Sequence, residues 1–158
     1  MSFDRLMGTL DYPMFIVTAA AGGERSGCLV GFATQASIHP PRFLVGLSDK
    51  NRTHRVALEA DTLAVHFVAS RQEALAELFG GQTGDEVDKF AQVDWRPGPG
   101  GAPVLADCPN WFAGRVLERT SFGDHTGFLL EPVEVAVGPD QAEFTFHRAR
   151  RIEPGHEA

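Results

Sequence analysis

Short apolar runs rich in β-branched and aromatic residues follow one another along this chain, each closed by Gly, Pro or a polar turn. That succession limits the fold more than any other feature. The runs are Tyr12–Thr18 (YPMFIVT), Gly27–Thr34, Arg42–Ser48 (RFLVGLS), Thr62–Ala69 (TLAVHFVA), Trp111–Arg119, Thr126–Val137 and Ala142–His147 (AEFTFH). All read as strands, the sixth interrupted at Pro132, where a missing ladder donor calls for a sheet edge or a bulge. Helical signals are fewer. Ser70 with Glu73 makes a capping-box pair ahead of Ala74, Leu75, Leu78 and Phe79, and Gly80-Gly81 stops that helix. Thr83 with Glu86 offers a second pair, for a short helix burying Val87 and Phe90. Asn51 or Thr53 caps a third through Val56 and Leu58, and Arg96–Pro103 (RPGPGGAP) reads as a rigid glycine-studded loop. Without regular βαβ alternation a doubly wound parallel sheet is not expected. A mainly β fold with short helices remains, an antiparallel barrel whose closure removes exposed sheet edges.

Length and charge narrow the function. The 158 residues suit one domain with its own core, 1–158, with a polar tail expected to fray from Arg150 onward. A net charge of −7 supplies no basic face for a phosphate backbone or an anionic membrane. No apolar run approaches the roughly 20 residues of a spanning helix. Met1–Leu10 contains Asp4 and Arg5 and lacks a signal-peptide core, so a cytoplasmic protein is expected. Cys28 and Cys108 stand far apart outside any CxxC and read as reduced thiols. The histidines (His39, His54, His66, His125, His147, His156) show no helical metal spacing, and no metal is expected. GxGxxG, GxxxxGK[ST] and GxSxG are all missing, which removes support for a Rossmann site, a P-loop and a hydrolase elbow.

Two stretches carry chemistry. In Ser26–Arg55 (SGCLVGFATQASIHPPRFLVGLSDKNRTHR) a strand runs into Thr34, Gln35, Ala36 and Ser37. After Pro40-Pro41 the next strand ends in Ser48-Asp49-Lys50-Asn51-Arg52-Thr53 before a helix. Two readings stay open on the residues alone. One is a phosphate cradle, built from helix N–H groups, the cations Lys50 and Arg52, and the neutral donors Ser48, Asn51 and Thr53. The other is an ordinary capped helix beside a solvated turn. The second stretch is Gly123-Asp124-His125-Thr126, a tight turn feeding a strand. A histidine fixed there can meet a ring carbonyl or a nicotinamide, or it can simply be exposed.

Motifs in consistent order then add up. They are SG…TQAS…HPP over Ser26–Pro41, NRTH at Asn51–His54, KFAQVDW at Lys89–Trp95, GAPVL at Gly101–Leu105, GDHT at Gly123–Thr126 and FHR at Phe146–Arg148. From about Leu10 to Arg150 the chain resembles the flavin reductase-like family of FMN-binding split-barrel proteins. The resemblance implies a Greek-key split barrel, a homodimer, and flavin in a groove near the subunit interface. Leu29, Val30 and Gly31 would line the flavin ring through backbone groups, and Thr34 and Gln35 would meet the ribityl and phosphate region. Ser48, Lys50, Asn51 and Arg52 would hold the phosphate end, and His125 would be the catalytic residue on the nicotinamide side. Relatives often carry Thr-Ala-Ser or Thr-Ala-Asn where this chain has Leu29-Val30-Gly31, so two side-chain donors are missing. The implied activity is NAD(P)H-dependent reduction of FMN, or of FAD, with reduced flavin passed to a partner monooxygenase. The alternatives are a tightly held FMN acting on another organic substrate and a non-catalytic flavin-binding barrel. Phe90 and Trp95 read mainly as core and interface packing over cofactor stacking, His66 as a hydrogen-bonded core or interface residue, and Trp111-Phe112 as core, with Trp111 also placed to shape the substrate side. Arg148 reads equally as a ligand for an anion or a surface residue.

Overall fold

Gly22 and Gly23 take φ of 58° and 82°, the left-handed pair that a two-residue hairpin needs. The computed structural model describes residues 2–81 and 88–152. After a helix α1 (Ser2–Met7), strand β1 (Phe15–Ala21) therefore folds straight back as β2 (Glu24–Val30). The chain continues through β3 (Ala33–Ser37), β4 (Arg42–Ser48), α2 (Arg52–Leu58), β5 (Thr62–Phe67) and α3 (Glu73–Gly81). A 3₁₀ turn at Lys89–Gln92 leads to β6 (Trp95–Pro97), β7 (Pro103–Leu105), β8 (Trp111–Ser121), β9 (His125–Ala136) and α4 (Phe146–Ala149).

Seven strands form one antiparallel sheet in the order β2-β1-β5-β8-β9-β4-β3. Its two edge strands are consecutive in sequence, joined only by Gly31-Phe32. The curled sheet is thus closed by the chain itself, which leaves a barrel with a seam between β2 and β3. Alternate residues of the strands fill the interior, among them Val17, Val30, Val45, Leu63, Phe128 and Leu130. A second apolar cluster lies outside β1 and β2, where Ile16, Phe79, Phe90, Leu105 and Phe144 bury α3 and the C-terminal segment.

Several sequence expectations are corrected. The run Gly27–Thr34 is not one strand: it breaks at Gly31-Phe32, because the chain there leaves one sheet edge for the other. Tyr12–Thr18 pairs three residues later than expected, at the same length, as three small alanines carry β1 to the Gly-Gly turn. Arg96–Pro103 is a two-stranded ribbon of β6 and β7, turned by Gly100 and Gly101 at φ 67° and 84°. Ala142–His147 makes only isolated bridges, Ala69 with Glu143 and Pro13 with Thr145, before α4 begins. Phe144 has already plugged the second core, and Phe146 stacks on Tyr12 at 4.8 Å, which turns the chain into a helical turn instead of a strand. Ser70 does not box the start of α3. Its Oγ and carbonyl accept from Arg148 Nη1 at 2.9 and 2.7 Å, and the Gln72 side chain accepts from Ala69 N–H instead. The helix also runs on through Gly80 and Gly81. Arg148, lying 4.6 Å over the Phe144 ring, is thus a clamp on the C-terminal segment. Past α4, Arg150 Nη1 donates to Gly8 O at 3.1 Å and Ile152 packs on the second cluster. The Thr83/Glu86 pair and Val87 lie outside the described residues.

Other features follow from the residues as read. Asn51 Oδ1 accepts from Thr53 N–H at 2.9 Å and caps α2. Pro132 pairs with Gly114 where the β8–β9 register shifts, beyond the last β4 partner at Leu130, so its missing donor falls at a bulge on a locally exposed edge. His66 is fully buried, with Nδ1–H donating to Ile16 O and Nε2 accepting from Leu105 N–H.

Candidate functional site

The seam opens into two adjoining cavities that share Phe32, Gly46 and His125. The smaller, about 180 Å³, lies between Tyr12, Met14, the turn of β2 at Cys28–Phe32, and the end of β4 at Gly46–Ser48, with Asn51 and Phe146. The larger, about 430 Å³, reaches past Ala33, Thr34 and Leu44 to Phe122–His125. Two glycines keep this space clear. A Cβ on Gly31 would stand 2.9 Å from Tyr12 Cε1, and one on Gly46 would stand 3.2 Å from Phe32 Cβ. Gly46 N–H also donates to Phe32 O at 2.7 Å and pins the crossing to β4.

The Leu29-Val30-Gly31 segment meets the smaller cavity with main chain. Leu29 packs toward α3, where a Cβ on Gly80 would fall 2.9 Å from its Cδ2. Val30 points into the barrel core, and Gly31 has no side chain. Because β2 is an edge strand, the backbone groups on its outer side have no ladder partner. Side-chain donors missing at 29 and 31 therefore cost this wall little. Behind it, Lys89 Nζ donates to Gly27 O at 3.2 Å and to Phe79 O at 3.0 Å, bracing the strand against α3; burial pulls the Lys89 pKa down. Burial pushes the Cys28 thiol up, so a neutral thiol lies in the wall.

Ser48 and Asn51 form the polar end of the smaller cavity, where Ser48 Oγ accepts from Lys50 N–H at 3.3 Å. His125 sits opposite Ser48 in the β4–β9 ladder, between the two cavities. Its Nδ1 lies 2.8 Å from Asp124 Oδ1, and the Phe32 ring packs on it at a centroid distance of 4.8 Å. The hydrogen bond from His125 is the main cause that holds the Asp124 carboxyl below its ordinary range.

The sequence-predicted residues divide accordingly. Leu29, Val30, Gly31, Ser48, Asn51 and His125 converge on one cavity, and Thr34 lines the adjoining one. Gln35, Lys50 and Arg52 do not line either cavity. Gln35 is exposed on β3, with Nε2 donating to Ser37 O at 3.3 Å. Lys50 lies in the exposed turn before α2, and the Arg52 guanidinium turns to Glu24 and to Arg25 O, both at 3.2 Å, at the hairpin end of β2. Sequence reasoning passed over Phe32, Gly46, Phe122, Tyr12 and Phe146. For Gly46 a signal existed: an isolated glycine inside RFLVGLS marks a close backbone approach. The aromatics carried no local signal that separates them from core.

The donor set suits a flat, conjugated ring with a polar tail. Edge-strand main chain, apolar faces from Met14, Phe32 and Leu44, and a polar end at Ser48 and Asn51 fit a flavin mononucleotide. The sequence model of the flavin reductase like domain matches residues 7–155. The chain belongs to the flavin reductase like domain family. Among its relatives, the chain is 31% identical over 139 residues to an FMN reductase (NADH) of Klebsiella pneumoniae, covering 88% of this chain and 84% of the relative. It is similar to the NADH:FAD oxidoreductase of Streptomyces globisporus C-1027, solved in complex with NAD and FAD fragments. That match has a TM-score of 0.82 and 27% identity over 94% of this chain and 88% of the other. A flavin reductase domain protein of Arthrobacter sp. FB24 shares the fold with a TM-score of 0.85, 22% identity and coverage of 99% and 94%.

Proposed function

We propose that this flavin reductase family member is an NADH-dependent FMN reductase whose flavin ring lies across the two joined cavities, with FAD as a further acceptor. The observation that carries the reading is His125 standing between the cavities, facing both the main-chain wall of Leu29–Gly31 and the apolar room beside Phe32 and Phe122. Bound flavin supplies an acceptor for a hydride from the nicotinamide. The chain's own residues position and exclude. Main chain at Leu29–Gly31 would hold the ring's polar edge, where its N–H donors would favour the more negative, reduced form. Thr34 stands on the ribityl side, and Ser48 and Asn51 take the phosphate end, with Lys50 and Arg52 adding positive potential from outside the walls. Gln35 lies further out on β3, within the same sheet edge. Met14, Phe32 and Leu44 keep the room dry, and His125 holds the nicotinamide side. No side chain has to act as a strong base.

In this reading the chain works in the cytoplasm and passes reduced flavin to a partner monooxygenase. It also works as a homodimer: Phe32 and Phe122, 60% and 66% exposed beside the larger cavity, would be covered by a second copy. Sedimentation at micromolar concentration will show a species of twice the chain mass; a monomer at all concentrations would remove the dimer from the reading.

The direct test is NADH oxidation in the presence of FMN, followed at the nicotinamide absorbance band. Wild-type protein will turn over, and His125→Ala will raise the KM for NADH by about tenfold, the cost of one lost hydrogen bond and its packing. FMN binding without any NADH or NADPH oxidation would overturn the reductase reading in favour of a flavin-binding protein.

A further inference from the structure

We infer that Asp124 is a positioning residue that fixes His125 in its Nδ1–H tautomer, so that a bare Nε2 accepts a hydrogen bond from a carboxamide N–H₂ on the incoming ring. The inference rests on the reductase reading for the identity of that ring; its first half, the tautomer of His125, does not.

The contact between His125 Nδ1 and Asp124 Oδ1 is 2.8 Å, short enough that a proton must lie between them. The Asp124 carboxyl titrates below its ordinary range, so at neutral pH it is ionised and can only accept. The proton therefore belongs to Nδ1. In the neutral ring that leaves Nε2 with its lone pair. Both residues are held where this matters. Asp49 N–H donates to Asp124 O at 2.9 Å, and Phe122 N–H donates to His125 O at 2.9 Å, which closes the turn. The Phe32 ring covers one side of the imidazole. After His125 itself, Lys50, in the turn before α2, adds a smaller positive field at Asp124. His54 Nε2, on α2, is hydrogen-bonded to Thr126 Oγ1 at 2.8 Å and so is committed to the neighbouring residue.

His125 lines a largely apolar room, and a lone pair in such a room selects a donor. The nicotinamide carboxamide carries an N–H₂ beside its reacting ring; an acetyl group in the same place has the carbonyl and no donor. A site built to accept from an N–H leaves an unpaired buried acceptor when the donor is absent, and this is where hydrogen-bond selectivity comes from. Asp124 thus acts on ring choice without touching the ring.

Two measurements on the purified protein test this. The first is two-dimensional ¹H–¹⁵N multiple-bond NMR of the His125 ring at neutral pH without ligand. Wild type will show Nδ1 protonated and Nε2 bare, and Asp124→Ala will show a mixture of tautomers. The second compares kcat/KM for NADH with that for its reduced 3-acetylpyridine analogue in wild type, Asp124→Ala and Asp124→Asn. The wild-type preference for NADH will fall by about tenfold in Asp124→Ala, and Asp124→Asn, whose carbonyl oxygen still accepts from Nδ1–H, will restore part of it. A wild-type ring protonated on Nε2 overturns the proposal, as does an unchanged preference in Asp124→Ala. Failure of wild type to oxidise NADH at all would sink the reductase reading, while the NMR comparison would still decide the part played by Asp124.

Discussion

Gly46→Val will weaken FMN binding by about 100-fold while leaving the barrel folded. Gly46 is shared by both cavities and faces the Gly31-Phe32 crossing. Its bare Cα is what allows the approach: a Cβ would already stand 3.2 Å from Phe32 Cβ and 3.4 Å from Phe32 O. The two valine methyls reach further, into the room between Phe32 and His125. Displacing a ring by one van der Waals layer forfeits its stacking contacts and its main-chain hydrogen bonds together, and a loss of ~3 kcal/mol is ~100-fold in affinity. Folding will suffer less, because position 46 is a strand residue of ordinary φ opposite Gly127, where a β-branched side chain is well suited to the backbone. Titration of FMN by fluorescence quenching reads the first effect and the thermal midpoint the second. Gly46→Ala will fall in between, since Phe32 needs to yield only a few tenths of an ångström. A wild-type Kd for the valine variant would move the ring out of the joined cavities altogether.

How far the sequence disclosed this site depends on which physics each part rests on. The strands were legible because β-branched and aromatic runs keep strand length, and Arg42–Ser48 was read to the residue. Pro132 announced its bulge through a donor it cannot supply. The seam was not legible. Gly31 is the one signal inside Gly27–Thr34, and it does not tell a close approach from a break, because the break answers to a closure between β2 and β3 that only the assembled sheet imposes. The same holds for the small elements: the ribbon of β6 and β7 depends on Gly100 and Gly101 turning against the barrel, and Ala142–His147 has the alternation of a strand but makes only isolated bridges, to Ala69 and Pro13. Site residues split along the same line. Those on the crossing and on β4 and β9 were brought together by register. The charges Lys50 and Arg52, chosen for their type, were drawn elsewhere; for Arg52 the competing partner is Glu24, 3.2 Å away on the neighbouring hairpin. A cation in a motif reveals an electrostatic preference; which anion satisfies it is settled by tertiary neighbours.

Acid will destabilise the barrel through His66 by about 3 kcal/mol. His66 sits fully buried on β5 and joins two other strands: its Nδ1–H donates to Ile16 O on β1 at 2.9 Å, and its Nε2 accepts from Leu105 N–H on β7 at 3.1 Å. A second ring proton would have to replace that accepting lone pair and face an N–H donor inside an apolar core. Burial accordingly lowers its pKa from 6.5 to about 4. A base whose pKa is lower folded than unfolded binds fewer protons in the native state, so stability rises with pH across that interval. The contribution is complete above pH 6.5 and is lost progressively as pH falls toward 4; at about 1.4 kcal/mol per pH unit the whole interval amounts to ~3 kcal/mol. The control is His66→Gln, whose amide can donate to Ile16 O and accept from Leu105 N–H but does not titrate. Urea unfolding at pH 7.5, 6, 5 and 4.5 will show the wild type losing more stability than the variant, with nearly all of the difference between pH 6.5 and 4.5. The variant will start lower at pH 7.5, by about 1 kcal/mol for its less rigid fit, and the two curves will converge or cross on acidification. Parallel curves would mean that the ring titrates alike in the folded and unfolded chain, and that burial does not set its protonation.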